Sequence, residues 1–152
     1  MINNFTGVRS PSKVLEKYRE EKLEGSYEAL ELDTSSLESV RQFANKVLAK
    51  NVPIHVLLNN AGIMFGPRKD SKDGFEGQLA TNHLGHFLLT HLLFPRLKEA
   101  GSRNEYARIV NVSSAAHFGG FWTNWEDLMS KFVHSFFFLL LCDGQDSSRK
   151  VS

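Results

Sequence analysis

The chain has 152 residues, of which 41% are hydrophobic and 23% are charged, and its formal net charge is +1. This length suits one domain with a single sizeable core, and the composition is that of an ordinary soluble globular protein. A balance so near neutrality gives no electrostatic reason to expect a nucleic acid or a membrane surface as partner. The single cysteine, Cys142, excludes an internal disulfide. The longest apolar run, Phe136–Cys142, is too short to span a bilayer.

The first part of the chain predicts a helix, a strand and a second helix. Ser10–Pro11 is typical of an N-cap followed by proline at the first helical position, and the pattern behind it predicts a helix to about Glu24. The segment Tyr27–Asp33 alternates as a strand does. Ser35 and Glu38 fit a capping box for the next helix. The apolar positions of that helix are Leu37, Val40, Phe43, Val47 and Leu48.

The second part predicts a strand, a long helix and another strand. The apolar run IHVLL after Pro53 is typical of a parallel strand covered on both faces. A helical segment follows from about Gly74 to Ala100, and Ala107–Ser114 reads as a second buried strand. The alternation of helix and strand predicts an α/β fold with a parallel sheet and right-handed crossovers. The strands on either side of the long helix should be parallel neighbours.

Small or polar residues follow each predicted strand. Ligands of parallel α/β sheets bind beyond the carboxyl ends of the strands, so these positions predict a pocket. Any one of these ends can equally be a simple turn, but the three together favour a binding site. The three ends are Asp33–Thr34, Asn59–Asn60–Ala61–Gly62 and Ser113–Ser114.

Four phrases carry a resemblance to a known family. In order, they are LELDTSSLESVRQFA, NVPIHVLLNNAGIM, DGFEGQLATNHLGHFLLTHLL and ARIVNVSSAAH. They resemble the middle of the short-chain dehydrogenases/reductases, and within them the branch of retinol dehydrogenases and the WW-domain oxidoreductase, over about Arg9 to Lys131. The resemblance implies a Rossmann-type doubly wound parallel sheet. It also implies an oxidoreductase that uses NADP or NAD on a carbonyl or alcohol, such as a retinoid, a steroid or another lipid-like molecule.

The resemblance also implies which residues face the cofactor. The NNAG turn would bring backbone close to the adenosine half, which the missing Cβ of Gly62 permits. Asp33 resembles the residue that accepts a hydrogen bond from the adenine amino group, although it can also be the polar end of a strand. Arg9 can favour NADP through the 2′-phosphate. The predicted cofactor-binding set is Arg9, Asp33, Thr34, Asn59, Asn60, Ala61 and Gly62.

Two further residues resemble catalytic positions of the family. Asn82 stands inside the predicted long helix, where an asparagine competes with the backbone ladder and often marks a local kink or a held water. In the family, its backbone carbonyl anchors a water in a proton relay. Ser114, in the phrase VSS, matches the serine that hydrogen-bonds the substrate oxygen. Either residue can also be explained as a structural feature, a helix irregularity or a turn cap.

Two motifs of the family do not occur at the positions where the family has them. The phrase TGVRSPSK begins like the TGxxxGxG pyrophosphate loop, but Pro11 and Lys13 stand where the later glycines belong. Within the phrase, VRS instead resembles the end of the family's second strand. The YxxxK pair is also missing, because every tyrosine precedes Ser114. The resemblance therefore implies a sheet that lacks the first strand with its glycine loop and the later Tyr–Lys segment.

These departures predict a partial dinucleotide-binding domain over residues 1–131 and a divergent tail, hydrophobic and then polar, over residues 132–152. We expect little activity and weak or no binding of NADP(H) by this chain alone. The alternatives are a non-catalytic truncated isoform, which forms homo-oligomers or pairs with full-length subunits through the Asn82–Leu93 helix, and a gene-model fragment.

No metal site and no clear membrane span are expected. His83, His86 and His91 share the long helix, but no cysteine or carboxylate set stands at ligand spacing, which favours ordinary core or surface histidines. The first residues contain no apolar h-region of a secretory signal. The default location is cytoplasmic, while a parent protein can be membrane-associated through a further N-terminal segment.

Overall fold

The computed structural model describes residues 3–21, 26–64, 67–101 and 105–114. Four strands and four α-helical segments follow one another in chain order. They are β1 (Asn3–Val8), α1 (Pro11–Glu20), β2 (Ser26–Glu31), α2 (Leu37–Ala49), β3 (Val56–Asn59), the short α3 (Gly77–Leu79), α4 (Gly85–Ala100) and β4 (Arg108–Asn111). A π-helical turn over Ala80–Leu84 joins α3 to α4.

Strands β1 and β2 form a parallel pair with α1 as the crossover between them. Asn3 stands opposite Ser26 and Val8 opposite Glu31, and the Leu32 N–H continues the ladder to the Val8 carbonyl at 3.0 Å. The strand β1 includes Thr6 and Gly7, so the start of TGVRSPSK is extended and not a loop. This agrees with the resemblance of VRS to the end of a second strand.

Helix α1 begins where the sequence predicts and ends earlier. Ser10 occupies the N-cap position and Pro11 the first helical position, although the Ser10 side chain makes no capping hydrogen bond. The last helical residue is Glu20, four positions before the predicted end. The rings of Tyr18 and Tyr27 lie 4.9 Å apart between centroids and connect α1 to β2.

Helix α2 is capped by a different serine from the one predicted. Ser36 is the N-cap, and its side chain accepts a hydrogen bond from the Ser39 N–H at 3.4 Å. The predicted capping box of Ser35 and Glu38 is therefore wrong. Ser35 is engaged elsewhere, because its N–H and hydroxyl both donate to Asp33 Oδ1, at 3.0 and 2.7 Å. This Asx-type turn leaves the next serine to cap the helix.

Strands β3 and β4 are parallel neighbours, as predicted. Val56 stands opposite Arg108 and Asn59 opposite Asn111. The ladder is shorter than the predicted strand to Ser114, and the Val112 N–H closes it on the Asn59 carbonyl at 3.0 Å. The long helix starts at Gly77 instead of Gly74, because Gly74 takes a positive φ of 80°.

One hydrophobic core joins the two strand pairs. Helices α2 and α4 pack against each other, and α4 also contacts β3. Phe5 and Leu30 from the first pair and Ile109 from the second pack against the buried residues. The buried core residues that α2 and α4 contribute are Val40, Phe43, Ala44, Val47, Leu89, Leu93, Leu97 and Ala100.

The opposite face of the β3–β4 pair is open. Val56, Leu58 and Val112 are 56%, 57% and 50% exposed, whereas Leu57, which points toward α4, is buried. Within the described residues the two strand pairs form separate two-stranded parallel sheets. The architecture is α/β with short parallel sheets, as predicted. No helix in this part of the chain has both the length and the apolar character to cross a membrane.

The predicted domain boundary at residue 131 and the tail over residues 132–152 lie outside the described residues. So do residues 115–131 at the end of the predicted domain.

Candidate functional site

The side chain of Asn82 pairs with the backbone directly after the NNAG turn. Its Oδ1 accepts a hydrogen bond from the Ile63 N–H at 2.8 Å, and its Nδ2 donates to the Ile63 carbonyl at 2.9 Å. An amide side chain can satisfy a backbone N–H and C=O in this way because it offers one donor and one acceptor side by side. Asn82 therefore fixes the backbone at Ile63, immediately beyond the carboxyl end of β3.

The helix that carries Asn82 is irregular at this residue, as the sequence predicts. In the π turn, the Gly85 N–H donates to the Ala80 carbonyl, five residues back, instead of four residues back as in an α-helix. The Thr81 hydroxyl donates to the Gly77 carbonyl at 2.7 Å. Such turns are frequent at functional sites of proteins.

The ring of His86 contacts the backbone of Asn82. Its Nδ1 lies 3.1 Å from the Asn82 carbonyl oxygen. The ring is half-buried, and this burial lowers the pKa of His86 below its ordinary value. The hydrogen bond to the Asn82 carbonyl acts in the opposite direction, while the neighbouring His83 lowers the pKa further.

Gly85 brings the start of α4 against the carboxyl end of β2. A Cβ at this position would lie 2.1 Å from the Thr34 carbonyl oxygen, so no other residue fits without movement of the backbone. Thr34 is itself buried. The turn after β2 and the turn after β3 therefore meet the same helical segment, one at Gly85 and the other at Asn82.

Gly62 is under no such constraint from the residues that the structure describes. A Cβ there would meet the Asn82 Oδ1 at 3.4 Å, which is an ordinary contact. The neighbouring Asn60 and Ala61 are exposed. The backbone of the NNAG turn is thus accessible from outside, as close approach of a ligand requires.

Asn59 is engaged inside the sheet. Its side chain is 5% exposed, and Nδ2 donates to Thr90 Oγ1 at 3.0 Å and to Asn111 Oδ1 at 2.9 Å. It ties β3 to β4 and to α4. Its Oδ1 is buried without a hydrogen-bond partner among the described residues. Of the NNAG residues, the three that follow Asn59 therefore form the exposed part of the turn.

Asp33 is part of the turn before α2. Besides accepting from Ser35, it donates its own N–H to Ser39 Oγ at 2.9 Å. These bonds explain an aspartate here even without a ligand, and the adenine contact stays a prediction. Arg9 is exposed directly after β1, and Ser114 is half-exposed three residues after β4.

The structure thus brings Gly62 to Asn82 and Thr34 to Gly85, three residues further along the same helical segment. It places Arg9 and Ser114 beyond the ends of their strands. Sequence reasoning gave no role to Ile63, Gly85 or His86. Gly85 and His86 stand three and four residues after Asn82, the spacing of neighbours on a helix face, and this is the signal that could have found them. No group of three or more histidine, cysteine or acidic residues in the described ranges is placed to hold a metal ion.

Comparisons with known proteins identify the family. The sequence model of the short chain dehydrogenase family matches residues 6–132. Polyprenol dehydrogenase from Homo sapiens is 46% identical over 123 residues, which are 81% of this chain and 37% of that protein. Retinol dehydrogenase 12 from Bos taurus is 55% identical over 86 residues, 57% of this chain and 26% of that protein.

Solved structures show the same fold. An uncharacterised protein from Mycobacterium paratuberculosis matches with a TM-score of 0.70 and 43% identity, over 86% of this chain and 43% of that one. The RhlG/NADP active-site complex from Pseudomonas aeruginosa matches with a TM-score of 0.63 and 25% identity, over 74% of this chain and 45% of that one.

The chain spans less than half the length of each of these relatives. The family match nevertheless covers most of the residues of this chain. It begins at Thr6, inside β1, and includes β2, β3 and β4. This chain belongs to the short-chain dehydrogenase family.

Proposed function

We propose that these residues form part of the cofactor side and part of the catalytic side of an NAD(P)-dependent oxidoreductase. The observation that carries this proposal is the pairing of Asn82 with the backbone of Ile63. It holds the exposed NNAG turn at the carboxyl edge of β3, beside the strand that leads to Ser114. Carboxyl edges of parallel strands are where α/β folds bind their ligands.

The nucleotide would lie along the ends of β1, β2 and β3. The open backbone of the NNAG turn, where a Cβ on Gly62 would meet only Asn82 among the described residues, fits close approach by the adenosine half. The nicotinamide, when bound, supplies hydride chemistry. Arg9 favours the 2′-phosphate of NADP over NAD. The proposed nucleotide-binding residues are Arg9, Asp33, Thr34, Asn59, Asn60, Ala61 and Gly62, of which Asn59 acts from within the sheet.

The catalytic side would use Asn82 and Ser114. Ser114 donates a hydrogen bond to the substrate oxygen, and the Asn82 carbonyl accepts one from a water that takes part in proton movement. The substrate class is an alcohol or carbonyl on a lipid-like molecule. The names of two relatives, polyprenol dehydrogenase and retinol dehydrogenase 12, support such a substrate.

These 152 residues alone should bind nucleotide weakly and turn over little substrate. They contain neither a TGxxxGxG loop, which would place several N–H donors around a pyrophosphate, nor a YxxxK pair after Ser114. General acid–base help is typically about 10²–10⁴-fold in rate. The test is to purify residues 1–152 and titrate them with NADPH and NADH, following nucleotide fluorescence and thermal unfolding, and to assay retinal reduction.

We expect no submicromolar binding of either nucleotide and no measurable reduction. If weak NADPH binding is detected, Arg9→Ala should weaken it while leaving NADH binding unchanged. Submicromolar binding, or turnover by a sample proven free of full-length enzyme, would overturn the proposal for the isolated chain. An in-frame TGxxxGxG upstream and YxxxK downstream in the genomic sequence would show that these residues are a piece of a longer protein.

A second candidate is a non-catalytic chain that pairs with another subunit through the Asn82–Leu93 segment. Phe87 on this segment is 67% exposed, and Phe94, two turns further on, is 44% exposed. Large exposed aromatic residues are typical of interface anchors. Sedimentation of wild type and Phe87→Asp tests this, with the exposed Val112→Asp, directly after β4, as matched control. Loss of association in Phe87→Asp alone would favour pairing, and an unchanged wild-type monomer would exclude self-pairing.

A further inference from the structure

The hydrogen bond between His86 and Asn82 has a fixed direction. A carbonyl oxygen can only accept, so the Nδ1 atom 3.1 Å away must carry the proton. The neutral ring then has its lone pair on Nε2. Because the protonated ring also has a hydrogen on Nδ1, this bond is available in both charge states. It is therefore a constant feature of the site and not a pH switch.

Asn82 is consequently held at three atoms. Its side chain is fixed by the N–H and the carbonyl of Ile63, and its own carbonyl oxygen is fixed by the ring of His86. These three contacts lie at the π turn, where the backbone hydrogen bonds of the helix already depart from α-helical spacing. A carbonyl oxygen has two lone pairs. Beside the ring N–H, the Asn82 carbonyl can therefore accept at most one further hydrogen bond of ordinary strength.

We propose that His86 is a positioning residue for the Asn82 carbonyl, whose ring N–H takes one lone pair and thereby determines where a second donor, such as a water, can bind. This inference rests on the proposed role of the Asn82 carbonyl in the site. His86 itself touches neither substrate nor cofactor in this account. The ring is half-buried, which partly shields this hydrogen bond from competing water.

The test compares three forms of residues 1–152 by NMR at neutral pH. Wild type has the ring N–H; His86→Asn keeps an N–H donor in the place of Nδ1; His86→Leu removes the donor but keeps an apolar side chain of similar bulk. We expect the ring ¹⁵N shifts of wild type to show a protonated Nδ1 and an unprotonated Nε2. The Asn82 carbonyl ¹³C signal should move upfield in His86→Leu and return toward its wild-type position in His86→Asn.

A purely space-filling role for His86 predicts a different pattern, in which the leucine variant keeps the Asn82 carbonyl shift. That result, or a wild-type ring protonated on Nε2 alone, would overturn the proposal. The side-chain amide signals of Asn82 report its pairing with Ile63 and serve as the internal control for folding. None of these readouts needs nucleotide or turnover. Submicromolar NADPH binding or turnover by residues 1–152 would therefore count against the proposed function and leave the result on His86 intact.

Discussion

The side chain of Asn82 stabilises the backbone at Ile63, in addition to the role proposed for its carbonyl. The amide replaces a strand partner for Ile63, so it needs both its donor and its acceptor. At the residue scale this gives a sharp distinction between asparagine and aspartate, which have nearly the same shape but not the same donors.

Asn82→Asp should destabilise the chain. The carboxylate would place an oxygen against the Ile63 carbonyl, where Nδ2 now donates at 2.9 Å. This hydrogen bond is exposed, so its loss should cost about 0.5–1.5 kcal/mol. Thermal or denaturant unfolding measures the loss. Asn60→Asp is the matched control, since Asn60 is exposed and surface changes stay within about 0.5 kcal/mol. Equal unfolding midpoints for the two variants would contradict the role of the pairing.

His86 should make stability depend on pH in the acidic range. Burial lowers the pKa of the folded-state ring, so the unfolded chain takes up this proton first as the pH falls. The stability that the neutral His86 ring contributes is fully present above its pKa in the unfolded chain, about 6.5. It is lost as the pH falls below that value toward the lowered pKa of the folded state. Unfolding midpoints at about pH 8 and pH 5.5 bracket most of this window. Wild type should lose more stability between them than His86→Asn.

The exposed His91 provides the control for that experiment, because His91→Asn removes a histidine from the same helix without removing the buried ring. The drop in stability of His91→Asn should match that of wild type. If His86→Asn and His91→Asn lose the same stability between the two pH values, burial of the His86 ring has no effect on the pH dependence of folding.

At the scale of the elements, the contact between α4 and the turn after β2 depends on one missing Cβ. Gly85→Ala would gain helix propensity of up to about 1 kcal/mol. However, the new Cβ would lie 2.1 Å from the Thr34 carbonyl oxygen, which is backbone and cannot rotate away. Overpacking of this kind costs about 1–3 kcal/mol or more. We therefore expect a net loss of stability.

Gly62→Ala is the matched comparison for Gly85→Ala. Its Cβ would make only an ordinary contact with Asn82 at 3.4 Å, so its stability should stay within about 0.5 kcal/mol of wild type. Denaturant unfolding of both variants decides the question. A stability loss in Gly62→Ala as large as that in Gly85→Ala would mean that the turn after β3 is as tightly enclosed as the turn after β2.

The elements differ in how far the sequence predicts them. Helix α2 and most of α4 follow from apolar spacing, and β3 and β4 from short apolar runs, because burial itself creates these patterns. Strand β1 does not follow in this way. Asn3, Asn4 and Gly7 are poor strand formers, and the pairing with β2 makes this segment extended. The choice of Ser36 over Ser35 as N-cap also depends on a competing bond to Asp33.

The site is predictable to a similar extent. The strand ends after β2, β3 and β4 identify where Asp33, Asn60 and Ser114 lie, since side-chain polarity changes where the ladder stops. The partner of Asn82 is a different matter. Ile63 contributes only backbone atoms, and any residue could supply them, so no side-chain pattern reveals this contact. The same holds for the carbonyl of Thr34 beside Gly85.

At the scale of the whole molecule, the core between α2 and α4 should couple the two strand pairs. Leu97 is fully buried there. Leu97→Ala should cost about 2–5 kcal/mol, a large share of the 5–15 kcal/mol typical of a domain. Hydrogen exchange should then accelerate for β1–β2 and for β3–β4 together. Phe94→Ala, on the exposed side of α4, is the control. Faster exchange in β3–β4 alone would show that the pairs unfold independently.

The register of the two strand pairs has a consequence for the order of folding. Asn3 and Ser26 are 23 positions apart, whereas Val56 and Arg108 are 52 apart. Closing the longer loop costs only about 0.7 kcal/mol more in conformational entropy. The pairing of Ile63 with Asn82 spans 19 positions and closes as readily as the first pair.

Two local pieces can therefore form early, one around β1, α1 and β2 and the other around the NNAG turn and the π turn. The contact of Gly85 with Thr34 joins them only when distant parts of the chain meet. We expect the two halves of the candidate site to be shaped separately and to come together late, when α2 docks on α4.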